Sequence, residues 1–164
     1  MKYMSSLLMV SNLPCKEDVI ERINEMRMQV VGLGDVECPQ HIINFKGILG
    51  EMEGITARKY LETNNLIITK LLDLSSDFST PFVIVHEPPY GVGTGKILNV
   101  NVGSRLTRSR ILAYRPKVVF HGHSEVQREV YFNETKVISI GSGFLGQFVI
   151  YQGEGKYIYI NLND

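Results

Sequence analysis

The stretch KVVFHGHSEV (residues 117–126) places two histidines and a glutamate within five positions, directly after an apolar run. "KVVF" reads as a strand buried on both faces, which puts His121, His123 and Glu125 at its C-terminal end. The preceding "RLTRSRILAYR" (105–115) reads as a helix stopped by Pro116. A helix feeding a buried strand that ends in ligand-type side chains is the element order of an α/β sheet. In such sheets the carboxyl ends of the strands form the rim on which sites are built.

Working outward, the same order recurs. "LLMVS" (7–11) is a short apolar strand ending at Asn12, and "KEDVIERINEMRM" (16–28) has helical spacing of its apolar residues, with acids near its start. "QVVGLGD" (29–35) returns to strand and ends at Gly34-Asp35. "HIINFKGIL" (41–49) reads as strand, "ITARKYLETN" (55–64) as helix and "LIITKLLDL" (66–74) as strand. "PFVIVH" (81–86) is a strand ending at His86, followed by the Gly/Pro-rich loop "EPPYGVGTGKILNVNVGS" (87–104). After residue 121 the pattern changes: "REVYFNETKVISIG" and "QFVIYQGEGKYIYINL" each hold two strand-like runs around a turn, at "NET" and "GEG". The expected architecture is one layered α/β domain over residues 1–164, with C-terminal β-hairpins extending a mixed sheet.

Composition narrows the function classes. The 164 residues have formal net charge zero, which argues against a protein that relies on phosphate-backbone electrostatics, so no nucleic-acid partner is expected. Arg105, Arg108 and Arg110 read as the exposed face of a helix. No run approaches the roughly 20 apolar residues of a membrane span, and the apolar stretch near the N-terminus is read as the first strand. Two cysteines, Cys15 and Cys38, form no C-x-x-C pair. They are read as free thiols, and a cytoplasmic location follows from that reading. Cys38 and His41 in "CPQH" have ligand-like spacing but lack a matching pair, and are set aside. "GVGTGK" (91–96) fails the phosphate-loop spacing, since Tyr90 and Ile97 stand where Gly and Ser/Thr are needed; a mobile loop over the rim is expected instead. Glu51 and Glu53 in "GEMEG" offer replacement ligands from the same loop, but read more simply as a solvated turn.

Four strands therefore deliver Asn12, Asp35, His86 and the 121–125 cluster to one rim. The ordered blocks "SNLP", "GLGD", "FKGILG", "VIVHEPP", "FHGHSE" and "VISIGS" resemble the calcineurin-like metallophosphoesterases across nearly the whole chain. That family carries D-x-H, G-D, a G-N block, a lone H and G-H-x-H in this order. The resemblance implies a sandwich of two mixed β-sheets flanked by helices, and a pair of divalent metals that clamp a phosphoester and activate a water. It makes Asp35 the bridging aspartate, His86 the lone histidine and His123 the first histidine of the last block.

Four positions depart from the pattern. Asn12 stands for aspartate, Pro14 for histidine, Ile48 for asparagine and Glu125 for the final histidine; Leu49 stands where many catalytic members have a general-acid histidine. One metal position is thereby dismantled, with Asn12 and Glu125 as poor replacements. The other keeps Asp35, His86 and His123, enough for a single divalent ion with open positions. The resemblance thus implies at most a mononuclear, metal-dependent phosphoesterase of phosphomono- or diesters. Asp35 and His86 would be catalytic, Asp35, His86, His123, Glu125 and Asn12 would be metal positions, and manganese, zinc or iron would be the ion. The alternative is a non-catalytic scaffold or ligand-binding protein that keeps the fold, and the centre is expected to hold one divalent ion or none. The expected partner is a phosphate-containing small molecule or a protein, and the C-terminal hairpins offer an edge strand for a homodimer. His121 is expected to be structural.

Overall fold

The computed structural model describes residues 6–162; the extreme ends of the expected 1–164 domain fall outside it. The elements are β1 (Leu7–Val10), α1 (Glu17–Glu25), β2 (Gln29–Leu33), β3 (Phe45–Ile48), α2 (Ile55–Thr63), β4 (Lys70–Leu71), β5 (Leu74–Ser75), β6 (Phe82–Val85), β7 (Lys96–Ile97), β8 (Val100–Asn101), α3 (Arg105–Tyr114), β9 (Val118–His121), β10 (Gln127–Phe132), β11 (Thr135–Ile140), β12 (Gln147–Gly153) and β13 (Lys156–Asn161). They form two large mixed sheets, ordered β13-β12-β1-β2-β3 and β10-β11-β9-β6-β5-β4, and a small β7-β8 ribbon.

Strand alternation explains the layering. In β1, Leu7 and Met9 face the same interior as Ile84, Phe120 and Ile138 of the other sheet. Leu8 and Val10 face outward against Ile20 and Ile23 of α1 and Leu61 of α2. The second sheet repeats this: Val118 and Phe120 point into the sandwich, whereas Val119 and Val83 pack outward with Ile111 of α3. Strands with apolar residues on both faces are the near-continuous apolar runs that the sequence shows. Helix α3 starts at Ser104, whose side chain accepts from Thr107 N–H, and ends at Arg115 in the left-handed region, just before Pro116.

The two C-terminal hairpins divide between the sheets. β10–β11 turns at Asn133-Glu134 and edges one sheet; β12–β13 turns at Glu154-Gly155 and edges the other. Two expected elements differ. The single strand read over residues 66–74 is a tight β4–β5 hairpin that turns at Leu72 and Asp73. Its turn is held because the Asp73 carboxylate accepts from Tyr151 Oη–H (2.8 Å) and from Glu154 N–H (2.7 Å). The long loop after His86 contains the β7–β8 ribbon, tied to the rim where Lys96 N–H donates to Ser124 Oγ (3.0 Å) and Glu125 N–H donates to Lys96 O (2.7 Å). The free-thiol reading is overturned: Cys15 and Cys38 form a disulfide, with Cα atoms 5.3 Å apart. Their separation of 23 residues hid a pairing that adjacent strands create, and the cytoplasmic location inferred from free thiols loses that support. Among the described residues, no helix is long and apolar enough to cross a membrane.

Candidate metal centre

Parallel strands β1 and β2 of one sheet and β6 and β9 of the other end on the same rim. Asn12, Asp35 and His123, just beyond three of these ends, have φ of 51°, 60° and 49°. Left-handed backbone at non-glycine residues is costly and concentrates at functional sites; Asn, Asp and His tolerate it better than most residues. Gly34 permits the approach of the sheets. Its φ is 103°, and a Cβ there would overlap the His86 ring.

Asp35, His86 and His123 meet here, each offering one ligand atom, with those atoms all within 4.8 Å of one another. Asp35 Oδ2 lies 3.2 Å from His86 Nε2 and 3.9 Å from His123 Nδ1. Asp35 and His86 are buried, while the His123 side chain keeps 25% exposure, so the cluster opens to solvent on one side. Oδ1 of Asp35 is held by the N–H of Met52 at 2.6 Å.

The tautomer of His86 decides what this arrangement needs. Nδ1 lies 2.8 Å from the carbonyl oxygen of Leu33. A carbonyl can only accept, so Nδ1 carries the proton. In neutral imidazole Nε2 is then a bare lone pair, buried and aimed at a carboxylate that also has nothing to donate. Nε2 accordingly has no hydrogen-bond partner. Two acceptors at 3.2 Å require a positive species between them, either a proton on the ring or a metal ion. A histidine donating its far N–H to a backbone carbonyl is also the usual outer support of a metal-bound imidazole.

Electrostatics agree. Burial alone would raise the Asp35 carboxyl, but contacts with His123 and His86 and the Met52 N–H outweigh it and hold the carboxyl well below its ordinary value. Burial likewise pulls the His86 imidazole down, yet Asp35 and the Leu33 carbonyl raise it above the ordinary 6.5. The site is a fixed negative charge between two imidazoles.

The remaining rim residues are engaged otherwise. Asn12 Nδ2–H donates to Ser142 Oγ (2.8 Å), and Glu125 Oε1 accepts from Leu98 N–H (2.7 Å) in the β7–β8 turn. Both line a pocket of about 170 Å3 together with Asp35, His123, Met52, Ile97 and Ser124, but neither belongs to the three-residue cluster. Ile48 and Leu49 pack into the two apolar cores. His121 is fully buried: its Nδ1–H donates to Gly122 O (2.7 Å), so Nε2 accepts from the Thr94 hydroxyl (2.7 Å). Burial pushes this imidazole down to about 4.

One supporting residue escaped the sequence reading. Glu53 is not a solvated turn: its carboxylate accepts from Asp35 N–H (2.7 Å) and from Gly50 N–H (2.8 Å), bracing the loop behind Asp35. Gly50 passes so near that a Cβ would overlap Asp35 Oδ1. A glutamate three residues after a strand-end glycine resembles an ordinary loop-capping pattern, so its partner was not legible.

No protein-family model matches the sequence, and no curated protein does. Solved structures match the fold. A protein described as a novel archaeal phosphodiesterase is 19% identical, with TM-score 0.58, over 96% of this chain and 99% of its own. The TT1561 protein of Thermus thermophilus is 12% identical, with TM-score 0.61, over 96% and 99% of the two chains. Wild-type Vps29 from Entamoeba histolytica, solved in complex with Zn2+, is 11% identical, with TM-score 0.53, over 95% and 98%. The fold is that of the calcineurin-like metallophosphoesterases. Within a metallophosphoesterase fold, the Asp35 cluster sits at the strand-end rim on which the resemblance placed metal ligands, and its donor set allows a divalent ion.

Proposed function

We propose that this chain is a mononuclear metal-dependent phosphoesterase. The observation that carries the reading is the buried His86 Nε2, without a hydrogen-bond partner and facing the Asp35 carboxylate, with His123 completing a two-histidine, one-carboxylate set. These residues fit one manganese, zinc or iron ion with open coordination positions. When bound, such an ion polarises a phosphoryl oxygen and lowers the pKa of a coordinated water. The protein's own residues do the rest. Leu33 O fixes the His86 tautomer, Met52 N–H and Glu53 orient Asp35 and its loop, and the half-exposed His123 faces the entrance. Asn12 and Glu125, bonded to Ser142 and Leu98, brace the pocket wall.

Apolar side chains border this polar centre. Ile97 lines the pocket, Met52 is 75% exposed and Leu98, beside Ile97, is 82% exposed. They favour a phosphoester with an apolar or aromatic substituent over a free sugar phosphate. In a scaffold a proton on His86 would satisfy the pair; the phosphoesterase reading puts a metal ion there and also gives His123 a role. The test is hydrolysis of an aromatic bis-phosphodiester in manganese. Turnover that falls at least tenfold in His86→Ala is expected; turnover indifferent to that change would place the activity elsewhere.

A further inference from the structure

A second cluster lies outside the rim site. Cys15, Cys38 and His41 each present one ligand atom, and these atoms lie within 4.8 Å of one another. Two thiolates on one tetrahedral zinc ion sit about 3.8 Å apart, since Zn–S bonds are about 2.3 Å, so these atoms need only small side-chain adjustments to share an ion. Cys15 and His41 are exposed and Cys38 is half-buried. In the oxidised chain the sulfurs are spent in the disulfide.

The loops stay adjacent without that bond. Leu13 N–H donates to Asp35 O (3.0 Å), Glu37 N–H donates to Leu13 O (3.0 Å), and Cys15 N–H donates to the Glu37 carboxylate (3.0 Å). His41 is fixed independently: its N–H donates to Cys38 O (3.1 Å), and its carbonyl accepts from Asn24 Nδ2–H (3.0 Å). Opening the disulfide therefore leaves two thiols and an imidazole already gathered.

We propose that Cys15, Cys38 and His41 form a redox-gated site for a thiophilic divalent ion such as zinc, closed by the disulfide and opened by a dithiol reductant. A reductant thiolate attacks one protein sulfur, the S–S bond breaks and the other cysteine leaves as thiolate. The second reductant thiol then resolves the mixed disulfide, so the reductant ends as a disulfide and the protein as two thiols. Zinc displaces the two thiol protons and takes the His41 ring nitrogen, with water in the fourth position. Soft thiolates separate this site from the harder Asp35 set, which suits manganese as well as zinc. The two strand-end loops that present Asn12 and Asp35 thus carry, three residues further on, a sensor of reducing conditions.

The experiment uses Asp35→Ala protein, which silences the rim. It is reduced with a phosphine, desalted anaerobically and titrated with zinc beside the oxidised form. One zinc per chain in the reduced form and none in the oxidised form is expected. Cobalt in place of zinc should give a thiolate-to-cobalt charge-transfer band in the near ultraviolet. His41→Ala, which keeps the cysteine pair and its disulfide, should weaken zinc binding at least tenfold. Equal zinc uptake by reduced and oxidised protein, or tight binding that survives both His41→Ala and Cys15→Ser, would overturn the proposal.

Discussion

His121 and His86 end neighbouring strands and share a tautomer, with Nδ1–H bonded to a backbone carbonyl in each. What lies opposite Nε2 separates them. His121 meets the Thr94 hydroxyl, which can donate, so the ring is neutral, buried and complete. His86 meets the Asp35 carboxylate, which cannot, so the ring requires a proton or a cation. The same residue type, one position apart in register on neighbouring strand ends, is structural in one case and ligand-like in the other. One hydrogen atom on the facing group makes the difference.

The sharpest way to break this comparison is to make Asp35 resemble Thr94. Asp35→Asn supplies an amide N–H to Nε2 and removes the charge. Manganese affinity is expected to fall more than about 100-fold, beyond the loss typical of an outer-shell change, while the metal-free protein stays folded; calorimetry and thermal melts check both. Exchanging the two histidines for alanine comes next. His86→Ala should cost about 100-fold in metal affinity. His121→Ala should leave affinity unchanged and lower stability by roughly 2–4 kcal/mol through a buried void and a stranded Thr94 hydroxyl. Thr94→Val, which deletes only the donor to His121, should cost about 1–3 kcal/mol with no effect on metal, read by denaturant unfolding.

A pH series sharpens the same contrast. In metal-free protein His86 is raised above 6.5, so its stabilising contribution is fully present below pH 6.5 and is lost as pH rises through the raised value. Asp35 is lowered below 3.8, so its contribution is present above pH 3.8 and is lost as pH falls. Metal-free stability should therefore peak between these limits. Metal affinity should keep rising on the alkaline side, because the ion must displace the His86 proton. Melts and metal titrations across this range check both trends. The smallest effect is expected from Asn12→Asp, which should leave metal stoichiometry unchanged because Pro14 and Glu125 still offer no second imidazole.

Much of this was legible in the chain. Continuous apolar runs ending at Asn12, Asp35, His86 and His121 marked the strands and their succession along the chain, since strands covered on both faces lose polar alternation. The convergence of Asp35, His86 and His123 followed from motif order. Three things were not legible. The Cys15–Cys38 bond depends on two strands lying side by side. The β4–β5 turn depends on Tyr151 and Glu154, about eighty residues away, reaching Asp73. The separate roles of His86 and His121 were expected, but the facing partners that set them, Asp35 and Thr94, are encoded in no local pattern. The bonds from Asn12 Nδ2–H to Ser142 and from Leu98 N–H to Glu125 Oε1 likewise rest on distant loops.

The central claim is that the His86–Asp35 pair requires a cation and that, with His123, it selects a metal. The most direct measurement is the metal content of disulfide-intact protein after equilibration with manganese or zinc, beside Asp35→Asn. The disulfide keeps the cysteine cluster out of the count. One ion per chain, absent from the variant, is the predicted result; no bound ion at millimolar supply, or equal content in the variant, would contradict it.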